Sequence, residues 1–136
     1  MAKLYIGARV EINGVVLSDN AYSVEVHQTK PQLDTTNMLS AGQDRILGLP
    51  DESIVVNFHQ DYAAADVDAT LYPLYTAGST FTVKIRVTPA AISPTNPEYQ
   101  ATCVLPEYTP LAGDVGVLAT VPVTFPVNGL ITRAVA

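Results

Sequence analysis

The chain has one cysteine, no tryptophan and only seven lysines plus arginines among 136 residues. One cysteine, Cys103, excludes an internal disulfide. Its place in an alternating apolar stretch reads as a buried, inert thiol. The few cations form no basic run, and the formal net charge is −6. Tight nucleic-acid binding needs clustered Lys or Arg to displace counterions, so that class is excluded. The opening Met-Ala-Lys-Leu-Tyr-Ile-Gly has too short an apolar stretch for a signal peptide, and no run approaches transmembrane length. The expectation is a soluble chain made in a cytoplasm. Charged residues make up 15% and apolar residues 48%, against roughly 25% charged in ordinary soluble domains. Such a surface suits a subunit that meets copies of itself, and equally a domain with a large core. The length suits one domain over 1–136.

Catalytic signals are also scarce. His27 and His59 each fall on the polar side of a strand, with no further ligand at metal spacing. Asp61, Asp66 and Asp68 lack the spacing and terminal Glu of a calcium loop. There is no Gly-rich phosphate loop and no Gly-x-Ser-x-Gly elbow. Glu25, Glu52, Glu98 and Glu107 could pair as acid and base, as such residues could in any all-β protein. No nucleophile–base–orienter set emerges. No enzyme, cofactor or metal is expected.

What the chain does contain is strand patterning. Asn13-Gly14 between apolar residues marks a hairpin. A strand follows from about Tyr22 to Thr29, with Tyr22, Val24 and Val26 on one face and Ser23, Glu25 and His27 on the other. Ser53–Gln60 places Ile54, Val56 and Phe58 on one face. Thr80–Val87 alternates most clearly, with Phe81, Val83, Ile85 and Val87 inward and Lys84 and Arg86 outward. Tyr99–Leu105 is a further strand. Val121, Val123, Phe125 and Val127 line one side of the last long strand, and its Pro122 and Pro126 predict a sheet edge or bulges. One helix is predicted over about 62–76, capped by Asp61, with an apolar stripe of Val67, Leu71, Leu74 and Tyr75. Pro73 predicts a kink or an end near Tyr72, and Gly78 suits the C-terminal cap. About seven strands and one helix make a mainly β, antiparallel sandwich or barrel with one flanking helix.

Residues 31–50 form a long polar connection broken by Met38, Leu39, Ile46 and Leu47. A connection this long is usually functional or disordered, and its scattered apolar residues point to a partner surface. The strands are rich in Val, Thr and Ile and carry few Lys. Open edges without charge call for closure within the subunit or pairing between subunits, and pairing between subunits produces rings.

Three blocks then carry a resemblance. One is Gly48-Leu49-Pro50-Asp51 leading to Phe58-His59-Gln60-Asp61-Tyr62, then Asp66-Val67-Asp68 and Leu71. Another is Pro94-Thr95-Asn96-Pro97 before Tyr99. The third is Tyr108-Thr109-Pro110, Gly113-Asp114-Val115-Gly116, a Val-Thr-Phe-Pro-Val strand and Gly129–Arg133. In this order, over about 48–133, they resemble the major tail tube proteins of long-tailed, siphovirus-type bacteriophages.

The resemblance implies the phage tail tube fold. It implies six subunits per ring, with one sheet from each joining an inner barrel, and rings stacked around a channel for genome ejection. The implied partners are the chain itself, tape-measure protein and transiting double-stranded DNA without specific binding. Tail-tip and tail-terminator proteins are implied too, and no membrane. The implied place is the virion tail, assembled in the host bacterial cytoplasm. The inter-ring loop falls on 31–50, with Leu33, Asp34, Thr36, Met38, Leu39, Asp44, Arg45 and Ile46 as contact residues. Glu25 and Glu107 are candidates for an acidic channel wall. Lys84, Arg86 and Arg133 are candidates for contacts between subunits. Segments near 1–7 and 130–136 are expected to seal such contacts, and no appended surface domain is expected. Two other readings remain: the tube protein of a bacterial secretion or contractile injection system, and a β-sandwich surface-binding or decoration module.

Overall fold

Period-two apolar patterning builds two packed antiparallel sheets in this computed structural model, which describes residues 7–136. The elements, in order, are β1 (Arg9–Ile12), β2 (Val15–Val16), β3 (Ala21–Thr29), β4 (Gln32–Asp34), β5 (Arg45–Leu47) and β6 (Asp51–His59). Then come α1 (Val67–Ala77), β7 (Phe81–Arg86), β8 (Glu98–Cys103), β9 (Thr120–Pro126) and β10 (Thr132–Ala134). One sheet has five strands in the order β10-β8-β7-β1-β2, and the other has three, β3-β6-β9. β4 and β5 form a separate two-stranded hairpin. The fold is thus mainly β with a single helix among the described residues, as the patterning predicts.

The core lies between the sheets. Val10, Ile12, Val83 and Ile85 face Ile54, Val56, Phe58, Val123 and Phe125, all 5% exposed or less. Phe81 meets Phe125 edge to face across the gap, with ring centroids 5.8 Å apart. Fully burying each such side chain contributes about 1.5–3 kcal/mol. Val67 and Leu71 bring one stripe of α1 into the same core. The β1–β2 turn uses Asn13 at φ 51° and Gly14 at φ 84°. Both positions are left-handed, which matches the twist of the flanking strands. Cys103 is fully buried, and burial pushes its thiol up to about 12.

Four local expectations are corrected. The helix starts at Val67, not near Tyr62, and Asp66 rather than Asp61 occupies the N-cap. Asp61 instead accepts the Ala63 N–H at 2.9 Å, and Ala65 sits at φ 64°, which a helix forbids. Pro73 does not end the helix, which runs on to Ala77 and closes at Gly78, φ 68°. Tertiary burial of Val67, Thr70 and Leu71 outweighs the missing proline donor. Tyr75, expected in the apolar stripe, is half exposed. In β3 a bulge between Ala21 and Ser23 interrupts the simple alternation expected for Tyr22, Val24 and Val26. The Tyr22 ring stacks on His59 with centroids 4.6 Å apart.

Candidate assembly surfaces

The segment 31–50 is a projecting hairpin rather than a loop. Gln32, Leu33 and Asp34 pair with Leu47, Ile46 and Arg45. Every residue from Pro31 to Leu39 and from Ala41 to Leu47 is exposed. The neck is tight: Gly48 donates its N–H to Pro31 C=O at 2.7 Å. A Cβ at Gly48 would stand 2.8 Å from Pro31 Cγ, so only glycine fits without a shift. The tip is organised by polar contacts. Asp34 accepts the Thr36 N–H at 2.9 Å. Hydrogen bonds from the Thr36 side chain and backbone hold the Asp34 carboxyl below its ordinary value. Ser40 Oγ donates to Asp44 Oδ2 at 2.6 Å. These contacts leave Met38 and Leu39 bare, at 100% and 95% exposure.

The second surface is the outer face of β3-β6-β9. The ladder places Ser23, Glu25 and His27 opposite Asn57, Val55 and Ser53. Those β6 residues face Pro122, Thr124 and Pro126 of β9. Among the described residues, the face carries the carboxylates Glu25 and Asp51 but no Lys or Arg. Glu25 Oε2 lies 2.8 Å from His27 Nε2, both exposed. Glu107, the other acidic candidate, is exposed on the β8–β9 connection and is not brought to this face. Its neighbour Tyr108 donates to Asp68 at 2.8 Å. Burial, followed by the effect of the Asp68 carboxylate, pushes the Tyr108 phenol up to about 12.

Among the described residues the β3 edge of this sheet is unpaired, and the β9 edge is unpaired except at its C-terminal end, where Val104 and Asn128 link it to the end of β8. Pro126 C=O accepts the Val104 N–H, so Pro126 directs its backbone away from β6, and Pro122 shares its register parity. The missing proline donors therefore fall on the outer edge and cost the ladder nothing. At the opposite edge, His59 donates its N–H to Asn20 C=O. Odd-numbered β6 residues thus bond to β3, which leaves the backbone of Val24 and Val26 turned outward.

The third surface is a charged ladder outside the five-stranded sheet. Lys84 and Arg86 are there, paired within the chain. Arg86 donates to Glu98 Oε2 through Nη2 at 2.6 Å and Nε at 2.9 Å. Lys84 Nζ stands 3.9 Å from Glu11, and Arg9 bonds Glu11 at 3.0 Å. The Glu98 side chain is 3% exposed. Burial raises the Glu98 pKa, but hydrogen bonds from Arg86 and Gln100, with the Arg86 and Lys84 charges, bring it below the ordinary value. Arg133 is exposed on edge strand β10, opposite Tyr99. Within 130–136, Ile131 is buried and donates its N–H to buried Glu52 at 3.0 Å. Residues 1–6 lie outside the described residues.

Sequence reading missed two of these arrangements. The Arg86–Glu98 and Glu52–Ile131 contacts join distant positions, and no local spacing signals them. Among the described residues, no three His, Cys, Asp or Glu converge as metal ligands.

The described residues thus form a two-sheet β-sandwich with a bare projecting hairpin and a sheet whose β3 edge is unpaired. Solved neighbours of the chain have the same fold. A chain of the virion of a native gene transfer agent particle superimposes with a TM-score of 0.77. The sequence identity is 13%, and the match covers 98% of this chain and 99% of that one. A chain from the tail of an empty gene transfer agent particle, determined by helical refinement with C6 symmetry, gives 0.71 at 13% identity. That match covers 94% of each chain. No family model and no curated protein matches the sequence.

Proposed function

We propose that this chain is a structural tail-tube subunit. Six copies close a ring, and stacked rings form the tail tube of a siphovirus-type virion. The tube is the channel for genome ejection and houses the tape-measure protein. It is capped by tail-tip and tail-terminator proteins, and the subunit works without catalysis or cofactor. The observation that carries this reading is the end-to-end likeness to a chain of a tail with C6 symmetry. Three features of the chain support it. The unpaired β3 edge and the unpaired length of the β9 edge are completed when copies add edge to edge, which removes exposed ladders. The hairpin of 31–50 offers bare Leu33, Met38, Leu39 and Ile46 for the next ring. Among the described residues, the outer face of β3-β6-β9 carries carboxylates without Lys or Arg, which suits a wall that DNA slides past. Screening over about 8 Å restricts that effect to wall charges such as Glu25.

The test is negative-stain electron microscopy of the concentrated protein. Hollow tubes or stacked six-fold rings are expected. Discrete monomers or trimers at every concentration, with the hairpin open to protease, would support a decoration or binding module instead.

A further inference from the structure

An open groove of about 700 Å³ runs along the edge of β3 that is unpaired among the described residues, between it and the five-stranded sheet. Val10, Tyr22, Val24, Val26, Ile85 and Tyr99 line it. On the far edge of the same sheet, residues 111–118 form a tethered arm that leads into β9. Gln60 holds both ends of this arm. Its Nε2 donates to Pro110 C=O at 2.7 Å, and its backbone N–H donates to Ala119 C=O at 3.0 Å. Between these anchors Leu111, Val115, Val117 and Leu118 are 84%, 105%, 64% and 67% exposed. Four bare apolar side chains on one anchored loop form a contact surface.

We infer that the arm docks in the β3 groove of a second copy of this chain and closes the ring from within. The inference rests on the ring reading above. Groove and arm lie on opposite edges of the sheet β3-β6-β9, as a head-to-tail contact requires. They also stand at one height. Phe58 pairs with Ala21 of β3 and with Val121 of β9, so the arm enters level with the Tyr22 end of the groove. A rotation about an axis along the strands brings arm to groove without axial shift. Strand pairing between neighbours is left incomplete on the β9 side: Pro122 and Pro126 remove two donors from its outer edge, so side-chain packing has to reinforce the contact.

Two full-length variants test this. Val117→Asp with Leu118→Asp is expected to raise the concentration needed for ring assembly at least tenfold, read by sedimentation velocity. Its thermal midpoint should be unchanged. Tyr22→Cys with Leu118→Cys, oxidised under ring-forming conditions, is expected to give a ladder of covalent multimers up to six. Neither single variant should give one, since Cys103 is buried. If the Asp variant assembles like wild type, or the paired variant forms rings without a ladder, the docking is overturned and the ring reading stands. If the Asp variant unfolds, the cysteine pair alone decides. A wild-type chain that never forms rings removes the ring reading, and the docking with it.

Discussion

Replacing Arg86 with methionine should destabilise the subunit by about 3 kcal/mol. Glu98 is almost fully covered, with 3% of its side chain exposed, and takes two charge-assisted bonds from Arg86. Removing one partner of a buried pair typically costs about 3–5 kcal/mol, because the remaining charge stays buried and uncompensated. The low end applies here: the Arg86 side chain is 17% exposed, and Arg9 Nη1 remains 4.0 Å from Glu98. At this chain length the loss corresponds to a thermal midpoint lowered by about 10 °C. Arg86→Met combined with Glu98→Leu should recover most of it, since an apolar pair of similar volume avoids the desolvation cost. The sign with pH follows from the depressed Glu98 pKa. Its contribution is present above the unfolded carboxylate pKa and is lost as pH falls through the lower folded value. Wild type should therefore lose more stability on acidification than Glu98→Gln. The assay is urea unfolding of all four proteins at neutral and acidic pH. A loss under 1 kcal/mol for Arg86→Met, or a double variant no better than the single, would refute the reasoning.

Replacing residues 36–43 by Asn-Gly should leave the fold within about 0.5 kcal/mol of wild type, because the excised tip is solvent-exposed. Thr35 and Asp44 are already joined by a 2.9 Å hydrogen bond, so a two-residue turn can close the gap. Rings should persist while stacking fails, and unaltered tubes in the microscope would remove the hairpin from the inter-ring contact. Glu25→Lys should assemble normally yet slow genome release from tails built with it, and release at the wild-type rate would exclude a channel role. Cys103, with its thiol pushed up to about 12, should resist alkylation at pH 8 until the chain is unfolded by urea. Stoichiometric labelling of the folded protein would contradict its burial.

Local order was legible from residues whose choice has a local cause. Alternation at Phe81, Val83 and Ile85 identifies a strand with one dry face, since side chains switch sides at every step. Asn13-Gly14 specifies its turn because both positions accept positive φ. Pro122 and Pro126 marked an edge because neither can donate. The helix boundary and its passage through Pro73 were not legible, since burial of Val67 and Leu71 in the shared core decides them.

The amino-acid sequence by itself determined the β character, the single helix, the low surface charge and the lack of a grouped catalytic set. Each follows from composition or from a period of two or 3.6. The tertiary structure alone decided which charges find partners, which edges stay open, and which apolar groups remain bare. Arg86 looks like a free surface cation until β8 brings Glu98 beside it. Residues 111–118 look like an ordinary turn until Gln60 clasps both ends and holds their apolar side chains in water. Such outcomes depend on strands distant in sequence meeting in one sheet, and no local spacing encodes that.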